Sequence, residues 1–88
     1  MPRRRTPIPD WIRPQTVALG HRIATLRRER GYSQDDLADR CGLERRTIQR
    51  YENAVRTPSY VEILLIADAL SIPTRDLLPP GRSRPRDS

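Results

Sequence analysis

The segment from Ser33 to Asn53, SQDDLADRCGLERRTIQRYEN, constrains this chain more than any other. Ser33 opens a helix, because its hydroxyl can accept from the unpaired amide near Asp36. Asp35 and Asp36 place negative charge at the positive end of that helix's dipole. Leu37, Ala38 and Cys41 supply an inward stripe, Gly42 turns the chain, and Leu43 tucks beneath the turn. A further helix runs from about Glu44 to Asn53. Two short helices joined by a tight glycine turn leave few folds open.

The second of these helices has two unlike sides. At about 100° per residue, Arg45, Arg46, Gln49 and Arg50 share an arc of roughly 140°. Ile48 and Tyr51 point the opposite way, into a core. A helix of this diameter fits the major groove of B-form DNA, where guanine offers two acceptors to an arginine fork and adenine suits a glutamine such as Gln49. A charged arc by itself also serves solubility. The glycine turn and the helix ahead of it favour a reader of base edges.

On either side the pattern remains helical. The stretch 1–15, MPRRRTPIPDWIRPQ, reads as an arm, since four prolines in fifteen residues argue against a regular element. From Thr16, Leu19, Ile23 and Leu26 recur at helical spacing, and Gly31 supplies the stop. Ser59 and Glu62 form a capping-box pair for a helix ending near Leu70. Pro73 suits the first residue of a short last helix, TRDLL, closed by Pro79 and Pro80. Nothing alternates with a strand's period. The expected fold is all-α: five helices over 16–79, with the arm before them and a basic tail, 80–88, after them.

Eighty-eight residues allow one domain with a small core. Every basic residue is arginine, seventeen against eleven acids. Arginine's planar fork favours phosphate and guanine, and a genome rich in G and C accounts for the missing lysine equally well. The charge is uneven: residues 1–15 carry four arginines against one aspartate and 80–88 carry three against one, while the stretch between is close to neutral. Such ends serve as solvated tails or as salt-sensitive contacts to a phosphate backbone. One cysteine and one histidine, Cys41 and His21, make neither a disulfide nor a metal site. Cys41 suits a small buried hydrophobe better than a redox switch, and His21 and Tyr32 suit surface and packing roles. The sequence offers no nucleophile with a base and no glycine loop for phosphate, so an enzyme, a cofactor, a metal and a small-molecule ligand are not expected. No apolar run approaches a membrane span, and the beginning lacks a signal-peptide core. A cytoplasmic setting follows.

From Leu19 to Leu78 the chain resembles the phage-repressor or Xre family of helix-turn-helix domains. The matching stretches are LRRERGYSQDDLA, CGLERRTIQRYENA, PSYVEILLIADAL and DLL. The resemblance implies a compact five-helix repressor domain that binds double-stranded DNA, usually as a symmetric dimer. By the same resemblance, Arg45, Arg46 and Arg50 touch base edges, with Gln49 beside them. It also implies that Gln34 bonds a phosphate and braces the reading helix, and that Asn53 and Arg56 hold the phosphate backbone. Arg27 and Glu52 match a pair that ties the first helix to the third. Both stand at the border of the core, where a buried pair is expected rather than a solvated one.

Three features depart from that family's pattern. Glu44 stands where serine or threonine is common; it suits the helix amino terminus, accepts from a cytosine amine, or restrains Arg45 or Arg46 while no DNA is bound. Ala54 replaces the usual glycine, and a left-handed alanine costs about 1–2 kcal/mol unless Asn53 takes that role. The fourth helix carries a second apolar set, Val61, Leu64 and Leu65, beyond its inward stripe. That set suits a dimer surface, a seat for Ile8, Trp11 and Ile12 of the arm, or arm exchange between subunits.

These readings converge on a sequence-specific transcription regulator, expected to be a repressor acting as a homodimer on a palindromic operator. No effector domain is expected after residue 80, which suits control by the protein's own level. The alternative is an antitoxin, or another interaction protein, whose tail or apolar patch binds a protein partner.

Overall fold

In a computed structural model, which describes residues 6–81, the chain folds as five helices with no strand among the described residues. They are α1 (Ile12–Glu29), α2 (Gln34–Cys41), α3 (Arg45–Glu52), α4 (Tyr60–Ala69) and α5 (Thr74–Leu77). The residues of the basic ends, 1–5 and 82–88, lie outside the described part.

Local chemistry sets the starts. At α2, Asp36 N–H donates to Ser33 Oγ at 3.0 Å and Ser33 N–H donates to Asp36 Oδ2 at 2.8 Å. The bonds from Ser33 hold the Asp36 carboxyl below its ordinary range. A reciprocal pair at α4 joins Ser59 and Glu62, at 2.8 and 3.2 Å. Each box satisfies two amides that the helix leaves without partners.

α1 begins four residues before the Thr16 expected from the hydrophobic pattern, and the prolines do not prevent it. Pro7 and Pro9 lie ahead of the helix, and Pro14 falls in its first turn. Amides in a first turn have no partner within the helix, so a missing N–H there removes nothing. Proline density overstates disruption when the ring lands at a helix start. Pro73 differs by one position, standing in extended backbone just before α5.

The ends of four helices share one device. After α2, Leu43 N–H donates to Ala38 O at 2.9 Å across Gly42, whose φ is +72°. Gly31 closes α1 in the same way at φ +73°. At the ends of α3 and α4 the left-handed position belongs to Ala54 (φ +56°) and Ser71 (φ +58°). Val55 N–H reaches Arg50 O at 2.9 Å, and Ile72 N–H reaches Ala67 O at 3.0 Å. Asn53 keeps negative φ, −88°, so Ala54 carries the turn.

Leu19 and Ile23 of α1, Leu37 and Cys41 of α2, Ile48 and Tyr51 of α3, Ile66 and Leu70 of α4 and Leu77 of α5 meet in one core. Cys41 is buried, and its thiol donates to Leu65 O at 3.8 Å. Burial, helped by the Asp68 carboxylate, pushes that thiol up to about 11, which disfavours the reactive thiolate. Tyr32 packs at the core's edge beneath the Arg40 guanidinium, 4.3 Å from the ring centre.

Ile8 to Thr16 borders a cavity shared with Thr57, in the loop ahead of α4. Val61 (63% exposed), Leu64 (39%) and Leu65 (40%) remain uncovered. Ile8, at 56%, and Trp11, at 38%, are likewise exposed. Arg13 explains the placement: its Nη1 donates to Ala54 O at 2.6 Å and draws the start of α1 towards the loop after α3.

Candidate nucleic-acid interface

α3 is clamped from behind. Ile48 and Tyr51 are buried at 0% and 2% exposure. The Tyr51 hydroxyl bonds the Glu62 carboxylate; burial first, and then that bond, push the phenol up to about 12. The same bond, with the Ser59 amide, holds the Glu62 carboxyl below its usual range. One side chain of α4 thereby caps its own helix and secures α3.

The second clamp is ionic. Arg27 Nε donates to Glu52 Oε2 at 2.6 Å and Arg27 Nη2 to Glu52 Oε1 at 3.0 Å. Both side chains are buried, at 11% and 5% exposure. Arg27 Nη1 donates to Tyr32 O at 2.9 Å, and Gln34 Nε2 to Glu52 Oε1 at 3.1 Å. The bond to Glu52 raises the guanidinium's affinity for its proton despite the desolvation. Four residues from α1, α2, α3 and the first turn thus share one network. Among the described residues no buried side-chain nitrogen or oxygen lacks a partner.

The third clamp is a close approach. A Cβ built on Gly20 would stand 2.6 Å from both the Tyr51 and Glu52 carbonyl oxygens. Only a residue without a side chain lets α1 lie against the end of α3 at that distance. A glycine amid a helical pattern gives weak notice of such a contact. Arg13 gives less still, because its partner is a backbone carbonyl far along the chain.

The front of α3 is open. Arg45, Arg46, Gln49 and Arg50 are all exposed. Their side chains make no hydrogen bond or ion pair among the described residues. Glu44 precedes them in extended backbone, with no side-chain cap bond. It pairs with neither Arg45 nor Arg46, which corrects the notion that it restrains them. Asn53 ends the helix, exposed, and Arg56 is exposed in the following loop. The structure places Gln34 behind the helix through its bond to Glu52, while Arg45, Arg46, Gln49, Arg50 and Asn53 share the outer side. Val61, Leu64 and Leu65 belong to α4, and Trp11 precedes α1.

A second helix held by three clamps, offering exposed guanidinium groups after a glycine turn, defines a helix-turn-helix module for DNA. Comparison with known proteins agrees: residues 23–77 match the helix-turn-helix family model, and the chain belongs to the Xre/Cro-like helix-turn-helix family of DNA-binding transcription regulators. An uncharacterised helix-turn-helix-type transcriptional regulator of Sinorhizobium fredii, y4dJ, is 28% identical over 67 residues, which are 76% of this chain and 87% of that one. Among solved structures, the restriction-modification controller protein C.AhdI of Aeromonas hydrophila is 38% identical, with a TM-score of 0.72 over 74% of this chain and 98% of its own. The biofilm master regulator SinR, solved in complex with DNA, is 28% identical, with a TM-score of 0.64 over 67% of this chain and 95% of its own. The family and fold are those of regulators, not of enzymes. Among the described residues no helix is long and apolar enough to cross a membrane.

Proposed function

We propose that the chain is a sequence-specific transcription repressor that occupies a palindromic operator as a homodimer in the cytoplasm. The observation that carries this reading is the set of exposed Arg45, Arg46 and Arg50, without partners among the described residues, on a helix held rigidly from behind. A rigid support matters because bidentate base contacts tolerate little misplacement. Arg45, Arg46 and Arg50 read guanine edges, Gln49 reads adenine, and Gln34, Asn53 and Arg56 hold phosphates on either side. Val61, Leu64 and Leu65, exposed on α4, form the contact with the second copy. A two-fold dimer spaces the half-sites by about one helical turn, roughly 34 Å.

Selection of bound fragments from random double-stranded DNA tests this directly. The enriched site is expected to be two inverted half-sites about one turn apart. Arg50→Ala is expected to cost about 1–3 kcal/mol on that site and to relax preference at one position of each half. Equal losses on selected and random DNA would remove base reading, and a single unpaired half-site would remove the dimer. The apolar face of α4 favours one other arrangement, an antitoxin-like protein with a different chain seated there; a protein that stays monomeric on its operator would favour it.

A further inference from the structure

A cleft of about 580 Å³ opens beside the carboxyl end of α3, lined by His21, Ala24, Thr25 and Arg28 of α1 and by Glu52 and Asn53. His21, Thr25 and Arg28 fall at i, i+4 and i+7, so α1 presents them as one stripe. All three are exposed, as is Asn53. None of the side chains of His21, Arg28 and Asn53 has a hydrogen bond or ion pair among the described residues. The one acid in the lining is Glu52, and its carboxylate is already occupied by Arg27 and Gln34. The cleft therefore offers a guanidinium, an amide, a hydroxyl and an imidazole, with no carboxylate left to answer them. Its chemistry is that of an anion seat.

Its position identifies the anion. Continued at about 100° per residue, the turn of α3 brings Asn53 near the middle of the arc bounded by Arg45 and Arg50. A duplex lying along that arc meets Asn53 and then the α1 stripe. Gly20 makes this continuity available, since its missing Cβ lets α1 abut the Tyr51 and Glu52 carbonyls one turn from Ala24. We infer that Arg28, supported by Asn53, Thr25 and His21, binds a phosphate of the DNA backbone from α1. This contact lies beyond the reading helix and the loop that follows it. It rests on the DNA-binding reading, and it makes Gly20 a determinant of the DNA footprint as well as of packing.

The experiment compares wild type with Arg28→Ala and Arg28→Lys on a selected duplex and on a random-sequence duplex, as salt rises from about 50 to 200 mM. Arg28 is exposed and its side chain has no partner among the described residues, so circular dichroism and melting should be alike in all three proteins. Losing one phosphate contact should make the log–log salt slope shallower by about 0.9. The fall in affinity over that range should then be about 3-fold smaller, equally on both duplexes. Arg28→Lys keeps the charge and should keep the slope. An unchanged slope in Arg28→Ala would overturn the inference while leaving the regulator reading intact.

If wild type binds neither duplex, the regulator reading itself fails, and the seat is judged with inorganic phosphate. Phosphate-dependent shifts of the Asn53 side-chain amide in wild type but not in Arg28→Ala would then assign the seat to a free phosphoanion. No shifts in either protein would overturn the seat altogether.

Discussion

Arg27 behind α3 and Arg45, Arg46 and Arg50 in front of it are the same side chain under opposite conditions. Arg27 is buried, bonded twice to Glu52 and once to the Tyr32 carbonyl. The other three are exposed and bonded to nothing among the described residues. The difference separates arginine as a structural tie from arginine held in reserve for a partner. A buried guanidinium is tolerable here because each of its three nitrogens finds an acceptor. An exposed one keeps its donors hydrated, and exchanges that hydration for bonds to bases or phosphates when a duplex arrives. The outer surface can change its sequence, and so its operator, without disturbing the inner network.

The largest test of this division removes the inner acceptor. Glu52→Ala strands Arg27, with 11% of its side chain exposed, and also deprives Gln34 of its bond. The expected loss is about 3–5 kcal/mol of unfolding free energy, measured by urea titration. A loss below about 1 kcal/mol would mean that the pair behaves as a solvated surface bridge, and the contrast between the two faces would vanish.

A smaller effect of opposite sign belongs to the loop that joins the two faces. Ala54 holds φ +56° where the chain needs a left-handed residue, and it is buried there at 8% exposure. A Cβ in that conformation costs roughly 1–2 kcal/mol, part of which glycine gives back through its freer unfolded chain. Ala54→Gly is therefore expected to stabilise the protein by about 1 kcal/mol, read as a higher melting temperature. Destabilisation instead would show that packing of the Ala54 methyl outweighs the strain.

Much of this architecture is legible in the sequence. Ser33 and Ser59 announced helix starts, because a hydroxyl three residues before an acid has a local partner whatever the tertiary fold. Ile48 and Tyr51, opposite Arg45, Arg46 and Arg50, announced the orientation of α3, because side-chain direction follows from period alone. Proline content alone misplaces the start of α1, because position decides: Pro14 stands in the turn that spares it. Gly20, Arg13 and the Arg28 cleft escaped for a different reason. Their significance lies in contacts with α3 or the loop beyond it, between elements far apart in sequence, and neither periodicity nor composition encodes such a distance.

The smallest expected effect concerns the outer arginines themselves. In Arg45→Ala and Arg46→Ala, no bond, cap or core contact is removed, since neither residue has one among the described residues. Substitutions at such sites usually change stability by less than about 0.5 kcal/mol. Alanine also has the better helix propensity, and each removal relieves repulsion among neighbouring positive charges in the free protein. Both variants are therefore expected to melt within a few degrees of wild type, or slightly above it, while losing affinity for the selected operator. A destabilisation comparable to that of Glu52→Ala would place these side chains inside the fold's own network, and the outer face would no longer be a surface held open for DNA.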